Sequence, residues 1–185
     1  RGQFRAGLDP VRPPRDGRPA ADEAGWIGLY ADREVRMRLR RAGKILVHHT
    51  VSLQLGTDLP MLELDAVLFE QVLFNLLDNA AKYAPSGTTI SVRGVRDGSH
   101  VMLQIMDEGS GIPPEELESV FDKFYRAQKG DHVRPGTGLG LAISRGFIEA
   151  MHGTISAANR PDRSGAIITI RLPVPAASHA LDTAA

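Results

Sequence analysis

Apolar positions recur every three or four residues between Glu70 and Tyr83, where Val72, Leu73, Leu76, Leu77 and Ala80 share one side of a helical wheel. The other side carries Gln71, Asn75, Asn79 and Lys82, at successive steps of four, four and three. Asparagine is a mediocre helix former. Two of them one turn apart, inside an apolar pattern, mark either a buried hydrogen-bond tie or a face used for binding. The pattern predicts a helix over 66–83, with Asp65 as its N-cap and Ala84, ahead of Pro85, as its end.

A second amphipathic helix is predicted over 139–151, stopped by Gly153. Alternating, β-rich runs predict strands over 88–95 and 100–106, joined as a hairpin by R-D-G-S. Two more, over 154–158 and 166–172, are joined by N-R-P-D-R-S-G. Residues 44–55 also predict strand, with His48 and His49 on opposite faces. Residues 32–42 alternate Val35, Met37 and Leu39 with arginines, a strand pattern with one basic face, a short helix being the alternative. Pro114 to Lys123 predicts a short helix, with Glu115 and Glu116 in its first turn. Residues 124–137 form a long polar connection, and Trp26–Tyr30 a short apolar island. From 45 onwards the order is β-α-β-β-loop-α-loop-α-β-β. That order departs from strict β-α alternation and predicts a two-layer α/β sandwich, a mixed, mostly antiparallel sheet covered on one face by helices.

With 185 residues, 42% hydrophobic and 24% charged, the chain can build one ordinary domain with a core and an appendage. Lysine and arginine total 22, as do aspartate and glutamate, so overall charge argues for neither nucleic acid nor an anionic membrane as partner. The lack of cysteine excludes disulfides, thiolate nucleophiles and cysteine-zinc sites. No apolar run reaches the roughly 18 residues needed to cross a bilayer, and no signal-peptide core is present. The lack of cysteine fits a cytoplasmic setting, and the first residue, Arg rather than Met, leads us to expect a fragment of a longer protein. Basic residues outnumber acidic ones over 1–44, and prolines at 10, 13, 14 and 19 forbid a continuous helix or central strand near the start. The expected organisation is a basic linker or connector over 1–44, a folded domain over 45–173 and a flexible tail over 174–185.

Three features carry candidate chemistry. Asp107-Glu-Gly109-Ser-Gly111 follows a strand, so the glycines allow a tight turn and close approach of a planar ligand, and the aspartate can accept from an exocyclic amine. Gly136-Thr137-Gly138-Leu139-Gly140 opens a helix, where backbone N–H groups can meet an anion. It is neither a dinucleotide fingerprint nor a Walker A motif. On the third feature, the polar helix face, an Asn oxygen can ligate Mg²⁺ and Lys82 can neutralise phosphate. Each is weak alone. Together they form the parts of a nucleoside-triphosphate site.

The four stretches Asn75–Tyr83, Asp107–Gly111, Phe121–Arg126 and Gly136–Leu141 resemble, in order, the N box, first glycine box, F box and second glycine box of the histidine kinase, gyrase, Hsp90 and MutL superfamily. The similarity runs from about 45 to 173 and is greatest to sensor histidine kinases. R-P-G-T-G-L-G-L-A-I and A-N-R-P-D-R-S-G-A are most similar to the potassium-responsive kinases of the KdpD type. The resemblance implies a Bergerat-type fold binding ATP and Mg²⁺. Asn79 would ligate the metal, with Asn75 supporting it, and Lys82 and Tyr83 would lie against phosphates and ribose. Asp107 would accept from the adenine amine, with Gly109, Gly111 and Ile112 shaping the pocket. Residues 124–137 would be the ATP lid, with Phe121 and Phe124 docking it and Gly136, Thr137, Gly138, Leu139 and Gly140 forming its phosphate-facing turn. Arg126 would face the γ-phosphate or the acceptor histidine.

Two departures bear on mechanism. The ATPases of the superfamily carry a glutamate base one turn before the metal-binding Asn, where this chain has Asn75. That favours transfer over hydrolysis, with Asn75, Lys82 and Arg126 as the residues nearest the chemistry. No H-E-L-x-T-P-like phosphoacceptor box is present. The acceptor histidine is then expected on a separate dimerisation domain of an inner-membrane-anchored bacterial parent, with a KdpE-like response regulator downstream. The chain itself would touch neither membrane nor nucleic acid, and would bind ATP without phosphorylating itself. Two further readings are an anti-sigma-type protein-serine kinase and a nucleotide-binding module without catalysis.

Overall fold

The computed structural model describes residues 27–126 and 137–175. The Arg/Pro-rich arm and Trp26, most of the long polar connection including Gly136, and the tail from 176 lie outside them. The central helix, α2, spans Ala66–Tyr83, and Asp65 Oδ1 caps it by accepting from the N–H groups of Val67 at 2.9 Å and Leu68 at 3.0 Å. Its predicted apolar stripe is buried, from Phe69 through Val72, Leu73, Leu76 and Leu77 to Ala80. Burying a side chain of this size contributes roughly 1.5–3 kcal/mol, which outweighs the two asparagines on the opposite face.

Beneath α2 lies a five-stranded sheet made of β2 (Thr50–Leu55), β4 (Thr89–Asp97), β5 (His100–Met106), β6 (Thr154–Asn159) and β7 (Ala166–Pro173), in the order β2-β4-β5-β7-β6. The β2–β4 pair is parallel and the rest are antiparallel. Alternation puts Ile90 and Val92, then Val101, Leu103 and Ile105, then Ile168, Ile170 and Leu172 into the core. Helix α3 (Gly140–Ala150) packs beside α2 and supplies the fully buried Ile148. The sandwich expected from the element order is the one observed, with the mixed, mostly antiparallel sheet as a Bergerat-type ATP-binding fold has it.

Residues 32–42 correct the strand reading. They belong to helix α1 (Ala31–Arg41), which follows a strand β1 (Ile27–Tyr30) paired antiparallel with β3 (Met61–Leu64). The buried residues Val35, Arg38, Leu39 and Ala42 fall at helical spacing, while Met37 faces out. Arg38 and Arg41 both bond Glu70 of α2. The strand predicted over 44–55 begins only at Thr50; a 3₁₀ turn over Ala42–Lys44 and further turns precede it. His48 and His49 therefore share a turn rather than opposite strand faces. The His48 carbonyl accepts from the Gly87 N–H at 2.7 Å, and His49 Nε2 lies 3.2 Å from the Ala81 carbonyl. The helix predicted over 114–123 resolves into two 3₁₀ turns, Pro114–Glu116 and Ser119–Phe121. The residues it buries, Val120 and Phe121, are adjacent rather than three or four apart.

Candidate functional site

The polar face of α2, the loop after β5 and the first turn of α3 enclose a cleft of about 270 Å³. Asn75, Asn79, Lys82 and Tyr83 line it from α2, Asp107, Gly111 and Ile112 from the loop, and Arg126, Thr137, Gly138 and Gly140 from the far side. Eleven of the positions singled out by motif thus meet at one place. Its floor is apolar, built from Leu76, Ala80, Ile105, Val120, Leu141 and Ile168.

Asp107 sits at the end of β5, 8% exposed. Its Oδ1 accepts from the N–H groups of Gly109 at 2.8 Å and Ala166 at 3.2 Å. No described residue donates to Oδ2, so that oxygen is left for the cleft. Burial raises the Asp107 pKa above the ordinary aspartate value, against the pull of those two N–H groups and the nearby Arg160 guanidinium.

The two asparagines of α2 divide the alternatives between them. Asn75 is a tie: its Nδ2 donates to the Gly140 carbonyl at 3.2 Å and to Ser144 Oγ at 3.4 Å, and its Oδ1 accepts from Gln71 Nε2 at 2.9 Å. It fastens α2 to the start of α3. Asn79 is half-buried, lines the cleft and takes no hydrogen bond from the described residues. One turn on, Lys82 Nζ meets Asp78 Oδ2 at 2.5 Å, and both line the cleft.

The glycines answer first to the protein itself. A Cβ on Gly109 would stand 2.7 Å from the Tyr83 carbonyl oxygen, so this glycine lets the loop close onto the end of α2. Gly138 has φ +69°, and a Cβ there would stand 2.7 Å from the Tyr125 carbonyl oxygen. Its own carbonyl accepts from the Phe124 N–H at 3.0 Å, joining the chain on the two sides of 127–136. Phe124 itself points to solvent, 72% exposed, whereas Phe121 is buried with the Arg145 guanidinium 4.3 Å above its ring. Gly109, Phe124 and Leu139 do not line the cleft; Leu139 precedes α3 without any side-chain cap. The first N–H groups of α3 therefore open towards the cleft at Gly140, the positive end of the helix dipole.

Motif reasoning missed Asp78 and Tyr125. Asp78 had a signal, since Asp followed by Lys four residues later is a helix ion pair. Tyr125 had none: its hydroxyl donates to Glu116, a contact made by the two 3₁₀ turns. Burial, followed by the Glu116 carboxylate, pushes its pKa up.

Residues 64–176 match the family model described as "Histidine kinase-, DNA gyrase B-, and HSP90-like ATPase". The chain belongs to this family. Among relatives of this ATPase family, the sensor protein KdpD of Escherichia coli K12 is 42% identical over 123 residues, covering 66% of this chain and 14% of that protein. The adaptive-response sensory kinase SasA of Trichormus variabilis is 39% identical over 157 residues, covering 84% of this chain and 37% of SasA. The chain thus spans a minor part of the curated relatives it matches. Among solved structures, the mycobacterial sensor histidine kinase MprB superposes with TM-score 0.67 at 30% identity, covering 76% of this chain and 92% of that one. The Acinetobacter baumannii histidine kinase AdeS gives 0.64 at 28% identity, covering 80% and 67%.

Proposed function

We propose that this chain is the ATP-binding catalytic domain of a two-component sensor histidine kinase, passing the γ-phosphate to a histidine on a separate dimerisation domain. The observation that carries the reading is one cleft lined by the buried Asp107 carboxylate, the Asn79 amide and the first turn of α3, which we read as base acceptor, metal donor and phosphate-facing helix end. Asp107 offers a fixed carboxylate oxygen to an exocyclic amine over an apolar floor that suits a purine. Among the described residues no three His, Cys, Asp or Glu side chains gather to hold a metal. Asn79, with its amide oxygen unengaged, fits a hard divalent ion such as Mg²⁺ shared with phosphate oxygens. Such an ion would neutralise phosphate charge. Lys82 adds a cation after exchanging its Asp78 partner, and the open first turn of α3 adds N–H donors. Gly109 would serve the base site indirectly, and Arg126, Thr137 and Gly138 would face the phosphates.

Asn75 supports transfer over hydrolysis. An amide whose donor and acceptor are both engaged within the protein cannot take a proton from water. Positioning and charge neutralisation then carry the chemistry. We assign the parent to the KdpD type, in a potassium or osmotic response with a KdpE-like regulator, on the similarity to KdpD proteins and the A-N-R-P-D-R-S-G-A stretch. No helix among the described residues is long and apolar enough to cross a membrane, and the membrane anchor belongs to other parts of the parent.

Transfer is tested with γ-labelled ATP. The chain alone should release little phosphate and stay unlabelled. Adding the parent's separately expressed dimerisation domain should produce acid-labile label on that domain. Rapid phosphate release by the chain alone would contradict the kinase reading.

A further inference from the structure

The loop carrying Asp107 is held from outside, by the connection between β6 and β7. Arg160 Nη1 donates to the Asp107 carbonyl at 3.3 Å, Arg163 Nη1 to Glu108 Oε1 at 3.1 Å and Ser164 Oγ to the Gly109 carbonyl at 2.6 Å. Asn159 closes the far end with both of its amide atoms. Its Oδ1 accepts from the Ile112 N–H at 2.7 Å, and its Nδ2 donates to the Ile112 carbonyl at 2.6 Å. The last glycine of the box is shaped by the same contact. Gly111 has φ +78°, and a Cβ there would stand 2.6 Å from Asn159 Oδ1. What fills the space of that missing side chain is Asn159, not a ligand.

We propose that Asn159 is a positioning residue that sets base specificity, by holding the Ile112 wall of the cleft in register with the Asp107 carboxylate. The inference rests on the nucleotide reading above. Adenine presents an amine where guanine presents a carbonyl. A carboxylate acceptor in a rigid frame binds the first and repels the second. A wall free to move lets guanine shift until its own amine reaches Asp107, and the preference shrinks. Asn159 is itself exposed, so its two bonds compete with water, and their value lies in geometry more than in stability.

Calorimetry with ADP and GDP on the whole chain tests this, with thermal melting to monitor the fold. In Asn159→Ala, ADP affinity should fall about tenfold, the effect of one or two lost hydrogen bonds, and the ADP-to-GDP preference should narrow at least several-fold. Asn159→Asp keeps the oxygen that accepts from the Ile112 N–H and loses the donor to the Ile112 carbonyl, so it should fall between, and it carries the test if the alanine variant does not fold. A folded variant with weaker binding but an unchanged preference would make Asn159 a structural residue only and overturn the inference. Preference for ADP in the wild type, retained in both variants, overturns it while leaving the nucleotide reading intact. A wild type that binds neither nucleotide overturns both.

Discussion

Asp107 is kept as a carboxylate where burial disfavours charge, with Oδ1 committed to two backbone N–H groups and Oδ2 to the cleft. Its folded pKa lies above the ordinary value of 3.8. The ionised form therefore costs stability, a cost that sets in as pH rises past the unfolded value and is complete above the folded one. Asp107→Asn retains an oxygen for the same two N–H groups without the charge. Its melting temperature at neutral pH should equal or exceed that of the wild type, while ADP affinity falls at least tenfold, about 1.4 kcal/mol. Wild-type ADP affinity should also decline as pH falls through the raised Asp107 value, a dependence the Asn variant should lack. Calorimetry between neutral and mildly acidic pH checks both. A variant that binds ADP as tightly as the wild type would remove Asp107 from the base site.

At the scale of elements, two contacts hold the helical layer together. Asn75 joins α2 to α3, and Asn75→Ala should cost about 1 kcal/mol in urea unfolding, the net worth of a typical hydrogen bond. Glu70 joins α2 to α1 through Arg38, which is only 5% exposed, and Arg41. Removing its charge in Glu70→Gln leaves that guanidinium without its carboxylate, and roughly 2 kcal/mol should be lost, less than for a fully buried pair because Glu70 is 38% exposed. Burial acts upward on the Glu70 pKa, but Arg41 and Arg38 bring it below the ordinary glutamate value of 4.5. The pair's contribution is therefore present above that value and lost as pH falls through the folded one, so Glu70→Gln should be less stable than the wild type at neutral pH and the two should converge in acid. Helices α2 and α3, the hairpin and the β6–β7 pair were legible in sequence because each has one clean period. Helix α1 was not. Val35, Met37 and Leu39 imitate a strand, and the helical spacing emerges only once Arg38 counts as a core position.

Across the whole molecule, the legible part of the site is the part written in short motifs, since Asn79, Asp107 and Gly138 each lie in a local glycine- or asparagine-rich pattern. What was not legible comes from sheet topology. The β5-β7-β6 order carries Asn159 and Arg160 to the loop after β5, and no spacing along the chain encodes that adjacency. The same topology turns the polar face of α2 towards the open end of α3, so one cleft collects the residues proposed to meet base, metal and phosphate. The most direct test of that arrangement is calorimetry of ADP with the wild type and Asn79→Ala, each with and without Mg²⁺. The wild type should bind in the micromolar range, more tightly with Mg²⁺, and Asn79→Ala should lose the Mg²⁺-dependent part. No binding by the wild type, or a variant that responds to Mg²⁺ as the wild type does, would contradict the account.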